Sequence, residues 1–166
     1  SLFGGTLAAS SGDNTSDPDI TGMALQALSK YQDRQDVKKV IDEALECMSK
    51  KQNDGGGFSS WEIANSESVV QMIVALTELG VSLEDPRFVK NGHTLLDNLM
   101  EYYKPGYGFA HTLDGGGSDL MATEQAFYGL VAVRRAQKRD NSLYRMGDAI
   151  KVEDLKDSAS KAGQGL

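Results

Sequence analysis

Asp17 and Asp19 flank a proline at the head of an apolar stretch, and Glu67 and Glu124 stand near the heads of two more. A carboxyl group kept protonated in a dry, shaped cavity can hand a proton to a substrate. Acids at helix N-termini also accept backbone N–H bonds and favour the helix dipole, and that is how Asp17 and Asp19 are read. Cys47, His93 and His111 lie far apart without ligand spacing, so no metal site is expected. Cys47 reads as a core or rim thiol, and His93 as a helix-surface residue. Two DGGG tracts, 54–57 and 114–117, have the composition of a phosphate cradle. Such a cradle needs a strand before it and a helix directly after it, and here helices precede and no Lys-Ser/Thr follows. The tracts therefore read as flexible connecting turns. No G-x-S-x-G nucleophile motif occurs.

Any group that acts chemically must be held by elements that repeat. PDITGMALQAL (Pro18–Leu28), SESVVQMIVAL (66–76) and LMATEQAFYGL (120–130) share one apolar plan that recurs about every fifty residues. A glycine-aromatic motif sits between copies: DGGGF at 54–58 and GYGF at 106–109. A period of this size means stacked supersecondary units, each unable to bury its apolar face alone.

In the first copy, Ile20, Met23, Ala24, Ala27, Leu28 and Tyr31 follow one helix face, with Leu25 off it. After a break at 32–35, Val37, Val40, Ile41, Ala44, Leu45 and Met48 give the same spacing. Lys38, Lys39, Asp42, Glu43, Glu46, Lys50 and Lys51 supply a solvated face. The pair predicts a helical hairpin with an inner and an outer member. Residues 66–79, apolar through their centre, predict a second inner helix closed by Gly80. Pro86 opens the next helix at a position where proline is tolerated. Its expected buried stripe is Phe88, Gly92, Leu95, Leu96, Leu99 and Tyr103, ending at Pro105-Gly106. A third inner helix is expected over 120–135, with Ala122, Ala126, Phe127, Leu130 and Val133 inward. Its partner would use Ile150, Val152 and Leu155, with a frayed end from 158 onward. No strands are expected, because alternating apolar runs are missing. The fold class is all-α.

The 166-residue length suggests one domain. Apolar content of 40% and charged content of 25% fit a soluble globular protein. A net charge of −7 argues against nucleic acid or an anionic membrane surface as partner. No apolar run approaches a membrane span. Residues 1–16 lack a basic start and an apolar stretch, so they are not a secretory signal. Ser1 is not a natural start, which leaves room for one upstream. The lone Cys47 precludes an internal disulfide.

The repeat resembles a known family. Met48-x-x-x-Gln52-x-x-x-Gly56-x-Phe58 is similar to the Q-x-x-x-G-x-[WF] repeat of terpenoid cyclases and protein prenyltransferase β-subunits. The three apolar copies resemble prenyltransferase/squalene-oxidase repeats of bacterial surface proteins, and NSLYRMGD (141–148) resembles the segment that closes that domain. The second glycine motif departs from the pattern, with Tyr103 where Gln52 would recur. The resemblance implies an α/α toroid segment of antiparallel helical hairpins over 18–148. Residues 1–17 would be a loop or the remnant of a preceding repeat, and 149–166 a tail. A closed toroid needs more hairpins than are visible, so upstream repeats of the same chain or a homodimer would complete it.

The family's chemistry is not carried over. The cyclase D-x-D-D run, the Asp/Cys/His zinc set and the thioester G-C-G-E-Q motif are all missing. Inner-helix N-termini of such toroids converge on one end, where family ligands bind. That rim would hold Asp17, Asp19, Thr21, Asn65, Glu67, Ser68, Asp119, Thr123 and Glu124, with Phe58, Trp61, Tyr107, Phe109 and His111 from the glycine loops. Aromatics beside acids suit a carbohydrate, a peptide or another small molecule. Capping and core filling account for many of these residues. Trp61 and His111 fit that account least, since neither recurs at its repeat equivalent. The expected function is a non-catalytic binding or scaffold module of a secreted or cell-surface protein, with no cofactor required. A cobalamin-type binder is one alternative by resemblance, and a fragment of a cyclase or prenyltransferase-like enzyme is another.

Overall fold

The computed structural model describes residues 16–147. The ends of the sequence, including the expected helix through Ile150, Val152 and Leu155, lie outside the described residues. Among the described residues five helices dominate: α1 (Pro18–Leu28), α2 (Gln35–Lys51), α3 (Ser66–Leu79), α4 (Leu95–Glu101) and α5 (Leu120–Lys138). Short 3-10 turns cover Ser29–Tyr31, Pro86–Phe88 and Leu143–Arg145. The protein is all-α with two small strand pairs.

Helix α3 is the centre. It lies between α1 and α5, while α2 packs on α1 and α4 on α3. Twelve of its fourteen residues are buried, including Val69, Val70, Met72, Ile73, Val74, Ala75 and Leu76. Two glycines admit its neighbours. A Cβ on Gly22 of α1 would lie 3.0 Å from the Gln71 backbone, and one on Gly129 of α5 would lie 3.2 Å from Val70 Cγ1. A glutamine ladder crosses the three helices. Gln26 Nε2 donates to Gln71 Oε1 at 2.9 Å, and Gln71 Nε2 donates to Gln125 Oε1 at 3.3 Å. The three helices point the same way. Asp19, Glu67 and Met121, near their N-terminal ends, line one cleft. At the other end, Ser142 donates to Glu78 and Arg145 donates to the Ser29 carbonyl.

The helix limits follow local chemistry. Asp17 caps α1, its Oδ1 accepting from the N–H groups of Asp19 and Ile20. Asn65 caps α3 through Ser68 N–H, and Asp119 caps α5 through Ala122 N–H. Gly80 closes α3 at φ 71, in the left-handed region that glycine adopts without penalty.

Three expectations are corrected. First, α1 buries Pro18, Thr21, Gly22, Leu25 and Gln26, whereas Met23, Ala27 and Tyr31 of the expected face are exposed. Close approach to α3 through Gly22 selects the side carrying Leu25. Phe127, expected inward on α5, is 69% exposed for the same reason, because Ala126 and Gly129 take the contact side.

Second, the helix expected from Pro86 is broken. Asn91 (φ 50) and Gly92 (φ 86) form a left-handed pair, with Lys90 and His93 bridged across them. Asn-Gly is the strongest short hairpin signal, and it outweighs the helical spacing around it. His93 therefore sits in a turn rather than on a helix surface. Helix α4 starts only at Leu95, behind a capping box of Thr94 and Asp97. The buried tyrosine is Tyr102, at 1% exposure, and Tyr103 faces outward.

Third, strands exist: β1 (Ser59–Ser60) pairs antiparallel with β2 (Ile63–Ala64), and β3 (Tyr103–Lys104) with β4 (Gly108–Phe109). Each follows or contains a glycine-aromatic motif. The buried Gln52 amide donates to the Gly56 and Phe88 carbonyls at 2.8 and 2.9 Å, tying the first of these loops to the Pro86–Phe88 turn.

Gly22→Ala is expected to lower the urea midpoint. Overpacking against an unyielding backbone costs about 1–3 kcal/mol, more than the gain of about 1 kcal/mol in helix propensity. Gly22→Val would be worse. Replacing Gln52 with Ala strands two buried carbonyls and is expected to cost about 1–3 kcal/mol in the same measurement.

Candidate functional site

A cleft of about 410 Å³ opens where the N-termini of α1 and α3 meet. It is built by three helices and two loop segments. The first turn of α1 brings Asp19, with Met23 one turn further. The start of α3 brings Asn65, Glu67 and Gln71. The β1–β2 turn brings Ser60, Trp61 and Ile63. His111, following β4, and Met121 and Gln125 on α5 complete the lining.

The β1–β2 connection is short, so its two central residues must adopt positive φ. They are Trp61 (φ 51) and Glu62 (φ 67), neither a glycine. Primed hairpin turns need this conformation, and non-glycine residues are strained in it. The strained turn holds Trp61 77% exposed on the wall of the cleft. The turn is tied to α1 because Ser60 Oγ donates to Asp17 Oδ2 at 2.6 Å.

Glu67 forms the floor at 7% exposure. Its Oε2 lies 3.1 Å from Ser66 Oγ and 2.9 Å from His111 Nδ1. Since an ionised carboxylate can only accept, Nδ1 then carries the hydrogen of that bond. The loop bearing His111 is fixed to α3, with Ser66 N–H donating to the His111 carbonyl and Ser66 Oγ to the Ala110 carbonyl. Glu67 Oε1 has no hydrogen-bond partner. Asp19 Oδ1 and Thr21 Oγ1 are also buried and unpartnered. Burial pushes the Asp19 carboxyl above its ordinary value, the charges of Asp17 and Glu67 push the same way, and the Ser68 and Ser60 hydroxyls oppose them. The site is thus acceptor-rich and negatively charged, with no lysine or arginine among its described lining residues. Its apolar side is Trp61, Ile63, Met23 and Met121.

Of the residues expected to form a rim, the structure brings Asp19, Trp61, Asn65, Glu67 and His111 to one cleft. Others stand outside its lining. Phe58 and Phe109 fill the core, Phe109 lying against the Tyr103 ring at 5.2 Å between centroids. Tyr107 is 81% exposed in the β3–β4 turn. Asp119 is engaged as the α5 cap, and Glu124 is exposed on α5; neither lines the cleft. Asp19 was read both as a helix-end acid and as a rim residue. The Asp-Pro-Asp spacing separates the two roles, since Asp17 supplies the cap and Asp19 is left to line the cleft. Gln71 and Gln125 carry only the repeat as a signal.

Among the described residues, no group of three or more His, Cys, Asp or Glu side chains is placed to hold a metal ion. No described helix is long and apolar enough to cross a membrane. Comparison with protein-family models, with curated proteins and with solved structures gave no match.

Asp19→Asn is expected to raise the melting temperature at pH 7. A carboxyl whose folded pKa exceeds its unfolded value stabilises fully below the unfolded value, and that contribution is lost as pH rises through the folded one. The gain of the variant over wild type should therefore vanish as pH falls below the ordinary aspartate value of 3.8. Glu62→Gly should raise stability by up to about 1 kcal/mol, because it relieves one strained residue. Urea unfolding of both proteins checks this.

Proposed function

We propose that this chain is a non-catalytic ligand-binding module of a secreted or cell-surface protein, built from prenyltransferase-like α/α repeats, and that the cleft between the N-termini of α1 and α3 takes the ligand. The observation that carries this reading is the strained Trp61 turn beside the buried, partly unpartnered Glu67. Strain and unmet polar atoms in a folded protein concentrate where something else is bound. A cavity with one apolar wall and a few convergent polar groups is the common form of a small-molecule site.

The toroid reading is supported by three same-direction inner helices with α2 and α4 outside them. In that reading, α1 and α5 are the two edges of a partial toroid, which further repeats or a second copy would complete. A sizing column with light scattering tests the second copy, a mass near twice 17.9 kDa being the expected result for paired half-toroids.

Trp61 is the only tryptophan, so its fluorescence reports on the cleft. A screen of small carbohydrates, peptides and amines is expected to find saturable changes that Glu67→Ala weakens at least about tenfold. Product formed from squalene or a polyprenyl diphosphate would refute the non-catalytic reading. Cobalamin is expected to leave both its visible spectrum and the melting curve unchanged.

A further inference from the structure

We infer that the cleft recognises a protonated primary amine carried on a short apolar stem. The inference rests on the reading of the cleft as a binding site and gives that site a ligand class.

The unmet groups decide the sign and the polarity. Asp19 Oδ1 and Glu67 Oε1 are carboxylate oxygens without partners, and Glu67 is more than nine-tenths buried on the cleft floor. Ionised carboxylates only accept hydrogen bonds, so the ligand must donate. Asp17 stands behind them, engaged by the α1 backbone and by Ser60. An anion here would meet three carboxylates with no cationic side chain lining the cleft. A neutral alcohol could donate but would leave that charge uncompensated. A cation supplies both needs.

The geometry favours ammonium over guanidinium. Glu67 has one oxygen without a partner, because Oε2 is engaged by His111. A guanidinium fork is best met by both oxygens of one carboxylate, whereas an ammonium is a compact charge that donates singly in several directions. The Gln71 and Gln125 side chains line the same cleft as further polar neighbours. The stem then lies along Met23, Ile63 and Met121, and the Trp61 face adds a cation–π and apolar surface. This accounts for an otherwise costly feature, an exposed tryptophan held at positive φ.

The amine can come from a free small molecule or from a lysine side chain, since both present the same ammonium on methylenes. Trp61 fluorescence titration of the whole chain separates these sources and tests the class. The probes are n-butylammonium, 1-butanol, n-butylguanidinium and Nα-acetyl-lysine N-methylamide. Butylammonium is expected to saturate, with butanol and butylguanidinium each at least about tenfold weaker. Comparable or tighter binding of the lysine derivative assigns a polypeptide source, and butylammonium alone a free amine.

Glu67→Gln should weaken ammonium binding at least about tenfold while leaving the circular dichroism spectrum unchanged. Asp19→Asn gives the same test at a less buried position if Glu67→Gln does not fold. Equal binding of butanol and butylammonium overturns the amine class and leaves a binding cleft standing. Binding of butylammonium that neither variant weakens also overturns it. If no probe and no compound of the wider screen saturates wild type, the binding reading falls with it.

Discussion

Three of the described helices, α1, α4 and α5, are placed by the need to bury α3. A helix that is apolar nearly all round has no solvent face to offer, so neighbours must cover it on several sides. Gly22 and Gly129 let α1 and α5 approach closely on opposite flanks, and α4 covers a further side. A close-packed interior of this kind tolerates little volume change at the contact points. The few polar groups taken inside are handled by bonds between helices. The Gln26–Gln71–Gln125 ladder is one case, and Glu78, bonded by Ser142 and the Tyr144 N–H, is another. An amide pair satisfies itself only in one register, so the ladder also fixes how far the three helices slide past each other.

That register has a chemical consequence. Because α1, α3 and α5 run the same way, the acids at their N-terminal ends, Asp17 and Asp19, Glu67 and Asp119, arrive at one end of the molecule. Each acid alone is favoured there by the helix dipole. Together they repel, and burial adds to the effect at Asp19. Capping absorbs Asp17, Asn65 and Asp119, and leaves Asp19 and Glu67 with oxygens that no protein group meets. The hairpin carrying Trp61 is anchored to the same end through Ser60 and Asp17. Strain, unmet acceptors and an exposed aromatic thus meet in one small region, while elsewhere Gln52 Oε1 and Asn98 Oδ1 are also unpartnered and Asn91 and Arg139 also have positive φ.

Helices were most legible where one signal dominated. The span of α3 was readable end to end, since its apolar run is long and Gly80 stops it. The start of α5 was equally plain, behind Asp119. Helix α4 was misread because the spacing of Phe88, Leu95 and Leu99 looks helical although Asn91-Gly92 interrupts it. The inward face of α1 was misread because hydrophobicity pointed to Met23 and Tyr31, whereas the contact is made where the helix is narrow, at Gly22. In the cleft, Trp61 and His111 stood out as aromatics with no repeat equivalent. Phe58 and Phe109, which do recur, proved to be core.

The sequence by itself determined the all-α class, the repeat, the caps and the acidic balance, because these depend on interactions within a few residues or on composition. Which face of each helix turns inward, which acid is left unmet and which aromatics reach the cleft were decided only by tertiary structure. Those outcomes depend on how closely two backbones can approach. That distance is set jointly by Gly22 and Gln71, or by Gly129 and Val70, residues some fifty positions apart whose pairing no local pattern records.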